Sequence, residues 1–303
     1  MISEACVSTL KQIIPQDNIL WEEPLRQHTS FRIGGPCDAL VRPENEAQLA
    51  EVIAYLHREN IPCFLLGNGS NLLVSDKGFE GVIVQVAGNM SQVTVDGCKV
   101  IAQAGASMHK AAKVAYENGL TGLEFASGIP GTVGGGAVMN AGAYDGEFKD
   151  VVCQVEVLTP EGEKLILDNA GMQFGYRDSI LKKLPYIVTS VTFECKPGDP
   201  AAILAKMEDF AERRRSKQPL EFPSAGSTFK RPEGAFAGKL IMDAGLRGFA
   251  VGGAQVSEKH CGFVINTGGA TAVDVHQLIE HVQKCVKEQF SVDLEPEVLF
   301  LGE

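Results

Sequence analysis

Two glycine-rich segments carry the first chemical signal in this chain. Leu65-Leu66-Gly67-Asn68-Gly69-Ser70-Asn71-Leu72-Leu73 reads as a strand running into a tight polar turn. Leu72 stands where the third glycine of G-x-G-x-x-G belongs, so the turn is not a dinucleotide fingerprint of the Rossmann kind. No Gly-Lys-Ser/Thr ending follows, which excludes a P-loop. What remains is a turn whose N–H groups and small side chains suit a diphosphate. Taken alone, an ordinary loop is the simpler reading. The second segment crowds glycines at 128, 131, 134, 135, 136 and 142. Residues without side chains are costly in conformational entropy and make sense where backbone must lie against a flat or phosphorylated ligand. A solvated linker would not interleave them with Ile129, Val133, Val138 and Met139. Two such loops in one chain favour a large dinucleotide.

Other reactive side chains are scattered and mute by themselves. Arg177 next to Asp178 reads most simply as a surface ion pair. Ser227 follows Ala225-Gly226 without the G-x-S-x-G elbow, so a serine hydrolase is a weak reading. Glu295 and Glu297 lie two apart, on one face of a strand, and spacing does not choose between them. Arg213-Arg214-Arg215 ends a helical stretch, where cations complement the helix dipole by roughly 0.3–1 kcal/mol each.

The elements that must position these residues follow from hydrophobic period and turn chemistry. Glu44–Asn60 carries Leu49, Val52, Ile53 and Leu56 at helical spacing. Ile61–Leu66 and Gly81–Val86 read as buried strands, making a small α/β first lobe. Asp96-Gly97 between Val93–Val95 and Lys99–Ile101 is hairpin chemistry, as is Pro160-Glu161-Gly162 between Val151–Leu158 and Lys164–Leu167. Ser107 and Gly119 bracket a helix, and Tyr186–Cys195 is a further strand. A helix over Pro200–Lys217 should bury Ile203, Leu204, Met207 and Phe210. Gln218–Pro223 reads as a linker into a third lobe. There Val275, Leu278, Ile279, Val282 and Val286 define an amphipathic helix before a last strand near Val298–Leu301.

Composition narrows the function classes. With 303 residues, 45% of them hydrophobic and 21% charged, the chain has the makings of two or three lobes with packed cores. A net charge of −11 leaves no basic surplus for nucleic acid or anionic lipid. No run reaches the roughly 18 apolar residues of a membrane span. Met1–Cys6 shows no basic segment leading an apolar one, so no secretory leader is expected. Eight cysteines without a C-x-x-C read as free thiols in a reduced cytoplasm, and no metal site is expected.

Ordered motifs then resemble a known family. Gly67–Asn71 with Ile129-Pro130-Gly131-Thr132-Val133-Gly134-Gly135 is similar to the FAD-binding lobes of flavoproteins of the vanillyl-alcohol-oxidase type. His28–Gly35, Phe174–Ser179, Ala225–Lys230 and Leu294–Val298, in that order, resemble the UDP-N-acetylenolpyruvoylglucosamine reductase family. The resemblance runs from about residue 20 to the end. It implies an α+β protein: a two-lobed FAD-binding region over 1–88 and 89–205, and a substrate-binding α+β domain over 206–303. The strand near 291–303 is a candidate to return to the first lobe. The short Arg177–Ser227 interval resembles the class without an inserted substrate-covering loop.

The implied reaction is reduction of a UDP-sugar enol ether by non-covalent FAD, with NADPH as hydride donor, in peptidoglycan synthesis. His28 is the one nearby residue to raise a covalent tether. The resemblance implies that Arg177 holds the substrate carboxylate, Ser227 donates the proton and Glu297, rather than Glu295, supports the enolic centre. It assigns the cofactor to Arg32, Gly67, Asn68, Gly69, Ser70, Asn71, Leu72, Gly128, Ile129, Pro130, Gly131, Thr132, Gly134, Gly135, Asn140, Ala141 and Gly142. Lys217, Lys230, His260 and Asn266 are its substrate contacts; Tyr176 is another, packing near the nicotinamide, with a core tyrosine as the alternative. Relatives often have Asn where Arg231 stands, so that position receives no role. A flavin oxidase would share both glycine loops without needing Ser227, and a silent nucleotide-binding protein would need no Arg–Ser–Glu set.

Overall fold

The computed structural model describes residues 2–144 and 146–302. The chain divides into two compact units, each with its own hydrophobic core. The first takes the chain up to Trp21, Asp38–Asn68 and Gly81–Arg214; the second takes Glu22–Cys37, Gly69–Glu80 and the chain from Arg215.

In the first unit the helix Glu46–Arg58 starts on Asn45, whose side chain accepts from the Gln48 N–H at 3.0 Å. Leu49, Val52, Ile53 and Leu56 are buried, as their period requires. A four-stranded sheet runs in the order Ile19–Pro24, Pro36–Val41, Phe79–Gln85, Cys63–Leu66, the last two being parallel. Cys63–Leu66 therefore lies at an edge. Its first three residues are exposed or half-buried, where a buried strand from Ile61 was expected. An apolar run does not reveal which of its faces lacks a neighbour.

The larger sheet of this unit is antiparallel, in the order Lys164–Asp168, Val152–Leu158, Ile187–Glu194, Lys99–Gln103, Val93–Asp96. Both anticipated hairpins are present, with Gly97 at φ 57° in the first turn. The helix Met108–Glu117 begins on the Ser107 cap, and Gly119 leaves it at φ 65°. The helix Pro200–Lys217 buries only Ile203 and Phe210. Met207 is half-buried and Leu204 is 37% exposed, because residue 204 lies about 100° around the helix from residue 203. The eight cysteines are free thiols, and burial pushes Cys195 up to about 12, keeping it protonated.

The second unit packs a three-stranded antiparallel sheet, Ala250–Val251, Ala254–Val256 and Val264–Asn266, with the helix Ala272–Phe290. All five residues of the anticipated apolar stripe are buried. The helix start is heavily capped. Thr271 accepts from the Asp274 N–H at 3.1 Å, and the Asp274 carboxylate accepts from the Thr271 N–H at 3.0 Å. Asp76 accepts from the N–H groups of Ala272 and Val273 at 2.9 and 3.2 Å. The last strand, Leu299–Leu301, pairs in parallel with Leu72–Val74, directly after the first glycine turn. Thr271→Ala should lower unfolding stability by about 1 kcal/mol with an unchanged m-value. A urea titration checks this, and unaltered stability would show that Asp76 alone suffices as the cap.

Candidate active site

The two glycine segments, distant in sequence, meet in the first unit. Gly67 and Asn68 follow the edge strand, and Asn68 Nδ2 donates to the Pro130 carbonyl at 3.2 Å. A Cβ on Gly67 would lie 2.4 Å from Thr132 Oγ1. The second segment is held in turn by 104–108: Met108 N donates to Gly131 O, Val133 N to Ala106 O and Gly134 N to Ala104 O, at 2.8–3.1 Å. Thr132 caps the short helix Val133–Val138 through the Gly135 N–H.

Two of the glycines there are required by packing. A Cβ on Gly134 would lie 2.9 Å from the Ala104 Cβ, and one on Gly136 would lie 2.5 Å from the Phe148 ring. Gly135 has no such reason. It is exposed, and its nearest neighbour would be Thr132 Oγ1 at 3.5 Å, an ordinary contact. Glycine inside a helix costs about 0.5–1 kcal/mol relative to alanine. A glycine that the protein does not need internally fits a group from outside lying against its backbone, so this cradle suits a flat or phosphorylated cofactor. Gly128 is different again, since a Cβ there would lie 3.1 Å from Arg214 Nη1. Arg214, which the sequence grouped with its neighbours at a helix end, is half-buried beside this loop, and burial lowers its pKa.

Arg177 occupies a tight turn in the same unit. Gly175 N donates to Asp178 O at 2.9 Å and Asp178 N donates back to Gly175 O at 3.3 Å. Arg177 has φ 52°, the left-handed region that such turns usually reserve for glycine. Its Nη2 donates to Gly142 O at 3.1 Å, and its guanidinium lies 5.3 Å from the centre of the exposed Tyr176 ring. Arg32 and Asn140 are also left-handed, so three of the residues chosen from sequence are held in uncommon backbone conformations.

In the second unit, Gly69 is fixed by close backbone approach: a Cβ there would lie 2.2 Å from the His28 carbonyl oxygen. Ser30 N donates to Gly69 O, and Asn71 Nδ2 donates to Glu297 O at 3.0 Å. Phe229 and Pro296 form an antiparallel bridge, with Lys230 N donating to Glu295 O and Glu297 N to Thr228 O, both at 2.8 Å. Ser227, exposed after the left-handed Gly226, is thus brought beside the Glu297 segment. The structure separates the two glutamates that spacing left equivalent. Glu295 is exposed and ion-paired with Lys230, whereas Glu297 is half-buried with its backbone tied on both sides.

Several expected contacts have other occupations. Leu72 is a core residue of its strand, and Ala141 is buried with its N–H on Gly136 O and its carbonyl accepting from Phe148 N. The Asn140 carboxamide is spent within the protein, and Ile129 packs on the core. Asn266, expected at substrate, accepts from Gly268 N and Ala270 N and donates to Phe31 O. Motif matching finds such residues but does not distinguish scaffold from contact. His260 is half-buried, accepts from Gly262 N at Nδ1, and has its pKa lowered by burial. Lys217 is exposed at the end of its helix, and Ser70 is half-buried beside Asn71.

Comparison with known proteins covers both units. The FAD binding domain family matches residues 36–168, and the UDP-N-acetylenolpyruvoylglucosamine reductase C-terminal domain family matches residues 218–301. A UDP-N-acetylenolpyruvoylglucosamine reductase of Caldanaerobacter subterraneus subsp. tengcongensis is 54% identical over 100% of both chains. One of Clostridioides difficile is 49% identical over 97% of each. The crystal structure of the Thermus caldophilus reductase aligns with TM-score 0.80 and 34% identity, over 94% of this chain and 98% of that one. Alkyldihydroxyacetonephosphate synthase, 18% identical, shares the fold at TM-score 0.50 over 65% of this chain and 41% of its own.

Two outcomes are expected at these residues. Gly135→Val should fold normally yet purify without flavin colour, because only the outside approach to its backbone is blocked; full flavin occupancy would remove this loop from the cofactor site. The second concerns His260, whose pKa burial lowers in the folded protein, while the unfolded chain binds its proton near pH 6.5. Its contribution is complete above about pH 6.5 and is lost as pH falls through that value towards the lower folded pKa. His260→Gln should flatten this acid limb in urea titrations between about pH 7.5 and pH 5. An unchanged limb would contradict it.

Proposed function

We propose the activity of this chain from its family: it belongs to the UDP-N-acetylenolpyruvoylglucosamine reductases and carries their FAD-binding domain. It is an FAD-dependent oxidoreductase that reduces UDP-N-acetylglucosamine enolpyruvate to UDP-N-acetylmuramate. NADPH is its hydride donor, peptidoglycan synthesis its pathway and the cytoplasm its place. Among the described residues no helix is long and apolar enough to cross a membrane. Gly67, Asn68, Gly131, Thr132 and Gly135 of the first unit would hold the cofactor. FAD, once bound and reduced by NADPH, would supply the hydride that the β-carbon of the enol ether accepts.

Hydride addition leaves negative charge on the substrate α-carbon and its carboxylate, and the residues divide the work of managing it. Arg177 offers a planar fork of donors that remains charged at any working pH and matches a carboxylate in two parallel bonds. Ser227 gives its hydroxyl proton to the α-carbon. A serine is a weak acid, so this transfer requires a strongly basic carbon and little water. Glu297 stabilises the enolic centre from a segment tied to Ser227's own. The main support for this assignment is that tie, the hydrogen bond from Glu297 N to Thr228 O at 2.8 Å.

Stopped-flow measurement of the two halves tests it. Ser227→Ala and Arg177→Lys should both bind FAD and show near-normal flavin bleaching by NADPH. Re-oxidation by the enolpyruvyl sugar should slow by about 10²-fold or more in Ser227→Ala, as loss of a positioned general acid requires. Equal slowing of both halves would mean disturbed flavin binding, and no slowing of the second would remove these residues from the chemistry.

A further inference from the structure

The backbone of Arg177 does not hold itself. A non-glycine residue at φ 52° is strained and persists only where its surroundings over-determine it. Part of that determination comes from the end of the second glycine segment. Ser179, fully buried, donates its hydroxyl to Val138 O at 2.8 Å. Arg177 itself reaches Gly142 O. Between these two, Asn140 Nδ2 donates to Gly175 O, the first residue of the turn, at 2.8 Å.

Asn140 is built for this contact and for little else. It is fully buried and left-handed at φ 43°. Its Nδ2 also donates to Glu147 Oε2 at 2.8 Å, and its Oδ1 accepts from Lys149 N at 2.9 Å. Both amide hydrogens and the carbonyl oxygen are thus used, which fixes the orientation of the carboxamide without ambiguity. Glu147 is in turn held by an ion pair with Lys149 and a reciprocal bond with Asp150. A buried group satisfied on every side is rigid, and a displaced one leaves a costly unpaired partner.

We propose that Asn140 is a positioning residue for the reaction, setting the place of the Arg177 guanidinium by anchoring the Gly175–Asp178 turn to the glycine segment. The inference rests on Arg177 holding the substrate carboxylate. It gives Asn140 a role that passes through Arg177, since both amide hydrogens of its buried carboxamide are spent on protein atoms.

A double-mutant cycle tests this. Asn140→Gly keeps the left-handed backbone accessible while removing all three side-chain bonds. Asn140→Asp keeps the size and the bond from Lys149 N but sets an oxygen against Gly175 O and a charge against Glu147. Each is measured alone and in the Arg177→Lys background, with flavin occupancy and thermal midpoint recorded beside the two half-reactions. Small misplacements of a binding group cost up to about 10²-fold, so re-oxidation by the enolpyruvyl sugar should slow by about tenfold or more in either single variant. Flavin reduction by NADPH should stay within about twofold of wild type. In the Arg177→Lys background the further loss on changing Asn140 should shrink to about twofold or less, because the group it positions has gone. Any destabilisation should persist there unchanged. Equal losses in both backgrounds would overturn the proposal, as would loss of folding or flavin in both variants, which would make Asn140 a scaffold residue only. If Arg177→Lys alone left re-oxidation unaffected, the Arg177 assignment would fail instead.

Discussion

One missing carbon constrains most of the first unit. Residue 67 has to lie against Thr132 so closely that a Cβ would overlap its hydroxyl oxygen, and Asn68 bonds across to Pro130 at the same place. The strand Cys63–Leu66 and the segment 128–142 are therefore locked together, although nothing in the chain between them is local to both. The 104–108 turn supports the lower side through three backbone bonds, and Thr132 uses its one hydroxyl to start the helix above. What is left outward is a surface of backbone, interrupted by Gly135, where the protein has no packing demand of its own.

That lock extends to the turn that carries Arg177. The segment carrying Gly131–Gly136 continues directly into Val138, Asn140 and Gly142, the three residues that grip the Arg177 turn. The glycine cradle and the Arg177 turn thus share one stretch of chain. Asn140 and Arg177 both sit at positive φ; asparagine adopts that region readily, whereas Arg177 is held there by bonds from its neighbours. In the second unit the same economy appears in a different form. One short antiparallel pairing, Thr228–Lys230 with Glu295–Glu297, fixes the segments of Ser227 and Glu297 together while pairing Glu295 with Lys230.

Much of this was legible in the residues because it depends on local rules. Ser107 and Asp96-Gly97 act by chemistry contained in a few neighbouring positions, and the elements begin and turn where they stand. The valine and leucine stripe of Ala272–Phe290 is buried as its period demands. Motif order pointed to the family and to the glycine loops. Less visible was anything that depends on a distant partner. The exposure of Cys63 reflects an edge position, and the pairing of Leu299–Leu301 with Leu72–Val74 is a choice among strands. The helix Glu4–Ile13 and the short helix Ala237–Asp243 gave no signal strong enough to place them. Asn140 and Asn266 sit within motifs, yet each spends its carboxamide on the scaffold, a distinction set by hydrogen-bond partners far along the chain. Arg214 looked like one of three equivalent helix-end cations until its contact with Gly128 set it apart.

The central claim is that two remote glycine segments form a single cofactor cradle through the contact at Gly67 and Thr132. Hydrogen–deuterium exchange of the apoprotein, with and without saturating FAD, tests it most directly. Amides of 67–68 and of 131–136 should gain protection together, over the same range of FAD concentration. Protection confined to one segment, or protection of neither while FAD binds elsewhere, would contradict it.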